Sequence, residues 1–277
     1  MTKTILITGA SSGIGKASAK LFHEKGWNVV ATMRSPDEET ELTTLGNILV
    51  VRLDVSDHDS IAAALAAGID RFGRIDALVN NAGHGQYGVF EAVPPEKIKQ
   101  QFDVNVFGVM DVTRAILPHF RANKSGMIVN VSSGAGLFTL PMISLYCASK
   151  FALEGFTEAL SYELLDLNIG VKLVIPHGGV SATSFNERSA QDAAVAEAPA
   201  DYAPFMANAA KAFAGMSATR TMSSADVAAV IYESVTDNSS RLRYLIGDDA
   251  RGFVRARREM TDHDYVNFMR SHFTAVK

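Results

Sequence analysis

The chain has 277 residues, with 26 Lys and Arg against 30 Asp and Glu, and a formal net charge of -4. At 47% hydrophobic and 20% charged residues it has an ordinary globular composition, which excludes disorder as the main state and argues against nucleic acid as a partner. A single cysteine, Cys147, excludes an internal disulfide scaffold, and no Cys/His cluster points to a metal site.

The first residues, MTKTILITGA, lack the long apolar core of a signal peptide. No stretch approaches the roughly 18 apolar residues of a membrane span, so a cytoplasmic location without a membrane partner is expected. Short apolar runs predict strands at Thr4–Thr8, Asn28–Met33, Ile48–Leu53, Ala77–Asn80, Met127–Val131 and Val171–Ile175. Amphipathic stretches between them, Gly13–Lys25, Asp57–Phe72, Pro95–Arg121 and Ile143–Leu167, predict helices. A further helix from about Ser224 to Val235 precedes a seventh strand at Leu242–Ile246. Strand and helix in alternation predict an α/β fold: one doubly wound, Rossmann-type domain over residues 1–277, with a mainly parallel seven-stranded sheet and helices on both faces.

Residues 177–222 break this rhythm. The segment is Ala-rich, carries Phe185, Phe205, Met206 and Phe213, and is long enough to be a substrate lid. A surface helix pair is the plainer alternative. Residues 248–277 form a carboxyl-terminal extension, and from Arg251 onward a terminal helix with a solvated face is expected.

Gly9, Gly13 and Gly15 follow the first strand and open the first helix, in the segment ILITGASSGIG. A backbone that turns sharply, approaches a pyrophosphate and then packs a helix on a sheet needs glycine at such points. The amides of the helix start would hold the anion. Gly9-Ala10-Ser11-Ser12-Gly13 also satisfies the nucleophile elbow of α/β-hydrolases, but that reading leaves Gly15 unexplained. At the end of the second strand no acid stands ready for the ribose 2′-hydroxyl of NAD. Arg34 is there instead and suits a 2′-phosphate, so NADP is expected in preference to NAD.

A second cluster comprises Ser133 at the end of the fifth strand, and Tyr146 and Lys150 four residues apart on one helix face. These residue types suit hydride transfer coupled to proton transfer at a carbonyl or alcohol. Tyr146 would be acid or base, Ser133 would position the substrate oxygen, and Lys150 would stabilise the phenolate and anchor ribose hydroxyls. A unit charge at about 4 Å is worth about 4 kcal/mol at an effective dielectric of about 20, or roughly 3 pKa units. With Lys150 as ammonium and the positive nicotinamide ring both beside it, Tyr146 is therefore expected to be pulled down into the working range. Cys147, beside it, reads as a small buried hydrophobe.

Together these residues resemble the short-chain dehydrogenase/reductase family over residues 3–180. Thr8–Gly15 matches its cofactor turn, Asn80-Asn81-Ala82-Gly83 its motif after strand four, and the Ser133-to-Tyr146 interval of 13 residues its catalytic set. The resemblance implies cofactor contacts from Gly9, Ser11, Ser12, Gly13, Ile14, Gly15, Arg34, Asp54, Val55, Asn81, Tyr146 and Lys150. It also implies that Asn105 bends its helix and joins a proton relay to Lys150. After strand six the family pattern is interrupted by His177, and Val180 with Thr183 or Ser181 falls where the nicotinamide carboxamide is held. His177 reads as a loop-packing residue. The family further implies a small-molecule carbonyl or alcohol substrate and a homo-oligomer, dimer or tetramer. A non-catalytic dinucleotide sensor or scaffold is the alternative.

Overall fold

The structure, a computed structural model, describes residues 2–177, 180–181, 198–217, 222–247, 249 and 252–273. Seven strands form one sheet: β1 (Thr4–Ile7), β2 (Asn28–Met33), β3 (Ile48–Arg52), β4 (Ala77–Asn80), β5 (Gly126–Val131), β6 (Ile169–Pro176) and β9 (Arg243–Ile246). Their order is β3-β2-β1-β4-β5-β6-β9, and every pairing is parallel. Two-residue strands β7 (Val180–Ser181) and β8 (Met222–Ser223) pair apart from it.

The apolar strands are buried on both sides, as their unbroken hydrophobic runs require. Ile5 and Ile7 enter one core with Phe22 of α1 (Gly13–Glu24) and Val227 and Ile231 of α7 (Ser224–Thr236). Leu6, between them, enters the other core with Ile61 of α2 (His58–Phe72), Ile116 of α4 (Val109–Ala122) and Leu160 of α5 (Ser144–Glu163). This alternation is the period-2 geometry of a strand covered by helices on both faces.

Three expected elements differ. The helix expected over Pro95–Arg121 is interrupted: α3 (Pro95–Phe102) passes into a π-helical stretch, Asp103–Gly108, before α4. A wider turn admits one extra residue and rotates Asn105 inward, and such bulges recur at functional sites. The helix expected over Ile143–Leu167 ends at Glu163 and gives way to a 3-10 turn, Leu165–Leu167, that stops at Asn168 with φ +55°. The single terminal helix is two, α8 (Phe253–Glu259) and α9 (Asp262–Ser271), restarted by Thr261, whose hydroxyl accepts from Asp264 N. Arg255, Arg257 and Arg258 are exposed as expected. The other face buries Phe253, Tyr265, Met269 and Phe273 against Phe138, in the turn after β5. Phe273 also meets Phe213 of α6 (Ala203–Ser217), with ring centroids 6.1 Å apart.

The edge strand β9 is anchored by a buried cation. Lys172 of β6, 2% exposed, donates to Asp237 Oδ1 at 2.5 Å and to Tyr244 Oη at 2.9 Å. Partial burial pushes the Asp237 carboxyl up, but hydrogen bonds from Lys172, Tyr244 and Ser239 outweigh it and hold the group well below the usual carboxylate range. A carboxyl depressed on folding adds stability above its unfolded value near 4, and that stability is lost as pH falls further. Asp237→Asn should therefore lower the unfolding free energy by about 2 kcal/mol at pH 7, because it strands the buried ammonium while Asp237 itself is partly hydrated. The difference from the native protein should shrink below pH 4. Urea titrations of both proteins at the two pH values would show it, and equal stability at pH 7 would contradict the anchoring role.

Candidate active site

Strand order reverses between β1 and β4, and in open parallel sheets ligands collect at the carboxyl ends of the strands beside such a reversal. Gly9 leaves β1 at φ +67°, and a Cβ there would stand 2.9 Å from Ala82 Cα. On the first turn of α1, a Cβ at Gly15 would lie 2.2 Å from the Gly9 carbonyl oxygen and 2.6 Å from Asn81 Nδ2. Only glycine lets the helix start seat so closely. Thr8 Oγ1 accepts from Asn81 N and Ala82 N, each at 3.0 Å, and Asn81 Nδ2 donates to Thr8 O at 2.9 Å and Gly9 O at 3.1 Å. Asn81 thus clamps the turn, and Thr8, the first residue of that turn, joins the two loops.

Ser11 is exposed, Ser12, Gly13 and Ile14 are partly exposed, and the first turn of α1 carries no acidic side chain. The open positive end of a helix beside a glycine turn fits the pyrophosphate of a dinucleotide. Ser11 has no histidine partner among the described residues. Arg34 follows β2, exposed and without a hydrogen bond or ion pair among the described residues. The nearby Glu39 and Glu41 are engaged by Lys16, and Glu41 also by Lys20. At the end of β3, Asp54 Oδ1 accepts from Ser56 N at 3.0 Å, and Val55 is buried against Gly108 of the π-helical stretch.

Ser133, Tyr146 and Lys150 do come together. Ser133 hydrogen-bonds the Tyr146 phenol, and its Oγ also accepts from Ala135 N at 3.2 Å. Lys150 is 6% exposed; its Nζ donates to Val131 O at 2.9 Å and lies 5.8 Å from the centre of the Tyr146 ring. The expected lowering of Tyr146 takes both Lys150 and the nicotinamide ring, and in the free chain burial acts against it. Burial pushes the Tyr146 phenol above its ordinary value, and the Ser133 hydrogen bond only partly opposes it. Burial likewise pulls Lys150 down to about 8, with Glu154 opposing. Loss of water dominates at both groups, and Lys150 spends a hydrogen bond on a main-chain carbonyl. Tyr146 packs with Tyr87, Ala135, Leu140 and Ile143, an apolar surround. Cys147 is buried and its thiol is pushed up by that burial, as suits a packing residue.

Asn105, fully buried, accepts from His84 N at 3.1 Å and donates to His84 O at 2.9 Å and Ser149 Oγ at 3.2 Å. One turn earlier, Gln101 accepts from Gln86 N at 2.6 Å and donates to His84 O at 2.9 Å. These two amides fix the loop after β4 against α5. Among the described residues no direct bond links the Asn105 side chain to Lys150. Gln101 went unnoticed, although a polar pair four residues apart on an otherwise amphipathic helix was its signal. His177 is buried, with its N at 2.8 Å and Nδ1 at 3.0 Å from Ile246 O, a packing role at the sheet end. Val180 packs against the first core. Thr183 and Phe185 lie outside the described residues, as does the Ser181 side chain. Among the described residues no group of three His, Cys, Asp or Glu could hold a metal, and no helix is long and apolar enough to cross a membrane.

Comparison with known proteins agrees with this geometry. Residues 3–194 match the short chain dehydrogenase family model. An uncharacterized oxidoreductase of Schizosaccharomyces pombe is 36% identical over 239 residues, 84% of this chain and 96% of that protein. A 3-ketodihydrosphingosine reductase of Bacteroides thetaiotaomicron is 41% identical over 172 residues, 62% of each chain. A solved short chain dehydrogenase/reductase from Burkholderia phymatum, in complex with NAD, superposes with a TM-score of 0.81 at 25% identity, covering 100% of this chain and 98% of that one. With its glycine turn, its parallel sheet and its Ser133–Tyr146–Lys150 group, the chain belongs to the short-chain dehydrogenase/reductase family of oxidoreductases, which exchange hydride between a nicotinamide dinucleotide and carbonyl or alcohol groups.

Proposed function

We propose that the protein is an NADP(H)-dependent reductase of an apolar carbonyl compound, with Tyr146 as proton donor, Ser133 holding the substrate oxygen and Lys150 as the charge beside them. The observation that carries this reading is the Ser133–Tyr146 hydrogen bond next to a buried lysine, at the carboxyl edge of the sheet. Gly9, Ser11, Ser12, Gly13, Ile14 and Gly15 would take the pyrophosphate, Asp54 and Val55 the adenine, and Lys150 the ribose. Asn81 would hold the turn, and Val180 and Thr183 would border the carboxamide. When bound, the nicotinamide supplies or accepts the hydride.

The protonation states favour reduction. A phenol raised by burial keeps its proton through neutral pH, so Tyr146 rests as an acid. Lys150 is an ammonium below about 8 and stabilises negative charge as the phenol gives its proton to the developing alkoxide. Ser133 donates to the same oxygen and fixes its place. Asn105 and Gln101 act at one remove, by holding the loop after β4. Tyr87, Leu140 and Ile143 around the phenol support an apolar substrate, and α6, α8 and α9 together support a cover over it. The exposed Phe107, Phe151 and Tyr162 support self-association.

Tyr146→Phe should cut kcat for carbonyl reduction by roughly a hundred- to ten-thousandfold while NADPH affinity holds. Stopped-flow and binding titration on a panel of apolar ketones and aldehydes would read both, and an active variant would overturn the mechanism. In the native enzyme, kcat/KM for reduction should fall as pH rises through about 8, where free Lys150 loses its proton; a profile flat to pH 10 would contradict that role.

Cofactor choice rests on Arg34. The unpaired guanidinium suits bidentate contact with a 2′-phosphate, whereas the Burkholderia phymatum relative holds NAD. Arg34→Ala should weaken NADPH roughly ten- to a hundredfold and leave NADH nearly unchanged, as fluorescence titration would reveal. An unchanged preference would remove Arg34 from the account.

A further inference from the structure

One buried charge near the reacting group is not used by the mechanism. Glu154 lies one turn beyond Lys150 on α5 and is 6% exposed. Its Oε2 accepts from Arg243 Nε of β9 at 2.9 Å, and Arg243 also donates to Glu158 at 2.5 Å. Its other oxygen, Oε1, is buried without a hydrogen-bond partner among the described residues. A surface ion pair would not need that arrangement, and a buried carboxylate with a bare oxygen is costly unless another charge compensates it.

Packing fixes where this carboxylate stands. A Cβ at Gly136 would lie 3.0 Å from Glu154 Cγ, 3.0 Å from Lys150 O and 3.1 Å from Ser132 Oγ. A side chain at Gly136 would crowd the turn after Ser133 against this part of α5. Lys150 faces Tyr146 and Glu154 on its own helix, with the Val131 carbonyl and Ser132 at the end of β5 and Tyr87 behind the phenol. Glu154 faces Lys150 and Glu158 on its helix and Arg243 from β9. Glu154 is the anion on α5 next along from Lys150, and Arg243 keeps it from swinging out to water.

We propose that Glu154 is a positioning residue for Lys150: its buried carboxylate, pinned by Arg243, is the fixed negative charge that keeps the Lys150 ammonium in place beside Tyr146. No direct ion pair joins the two among the described residues. The attraction acts through a poorly hydrated gap, where charge interacts more strongly than in water. Burial pulls Lys150 down and Glu154 opposes it, in the direction the geometry requires. This inference rests on the reading of Lys150 as part of the reacting site.

The test is a titration of Lys150 in the full-length, cofactor-free protein. Lysine would be labelled with 13C at Cε, and the resonance assigned from Lys150→Met. In Glu154→Gln the midpoint should fall by about one pH unit, and in Glu154→Asp, which keeps the charge, by much less. The alkaline limb of kcat/KM against pH should move down with it in Glu154→Gln. An unshifted midpoint in a folded Glu154→Gln would overturn the proposal, as would equal shifts in the Gln and Asp variants. Should Glu154→Gln fail to fold, Glu154→Met answers instead: it removes the charge at similar length, so the midpoint should fall by a like amount, and an unshifted midpoint would refute the pairing. The titration needs neither substrate nor cofactor. An active Tyr146→Phe enzyme would therefore end the functional reading without touching this result, and an unshifted Lys150 would leave that reading standing.

Discussion

Lys150 carries its charge into a region with little water, and burial by itself would strip the proton from it. An ammonium can stay charged there only if the surrounding chain provides fixed negative ends of dipoles or whole charges. Val131 offers a carbonyl at 2.9 Å, and Glu154 opposes the effect of burial. The same dryness raises Tyr146, so two neighbouring groups keep their protons for different reasons. The lysine does so because the chain resists its loss, and the phenol because ionising it in apolar surroundings is costly. A neutral phenol beside an ammonium is a poised proton donor.

That arrangement depends on close packing at the carboxyl edge of the sheet. Lys150 and Tyr146 share a helix face, but Ser133 reaches them from a turn packed tightly onto α5 at Gly136. The loop after β4 is set by Gln101 and Asn105, which spend their amides on the main chain of His84 and Gln86. The cofactor turn is likewise a packing solution: Gly15 admits the Gly9 carbonyl, and Asn81 ties both loops together. Arg243 and Tyr244 extend the scheme to the sheet edge, one toward Glu154 and the other toward Lys172.

Much of this was legible in the sequence. Apolar runs located all seven strands of the main sheet to within two residues at either end, because a strand buried on both faces has nowhere to place polar residues. The glycines were legible because few other residues can make that turn. What escaped depended on three-dimensional neighbours. The π-helical stretch leaves no mark in hydrophobic period, since Asp103–Gly108 reads as ordinary helix until Val55 and His84 are in place. Helix spacing puts Lys150 near Tyr146 without revealing that its ammonium turns to Val131 or that burial raises the free phenol. Glu154 and Arg243 lie 89 residues apart and meet only through the register of β9 on β6. The apolar face of the terminal helices was equally hidden, because its partner, Phe138, belongs to the turn after Ser133.

The central claim is that the cofactor-free chain holds Tyr146 neutral. An ultraviolet difference titration of phenolate, native protein minus Tyr146→Phe, tests it most directly. The account predicts no Tyr146 ionisation below the ordinary tyrosine value of about 10 in the free protein. A phenolate already forming near neutral pH in the absence of cofactor would contradict it.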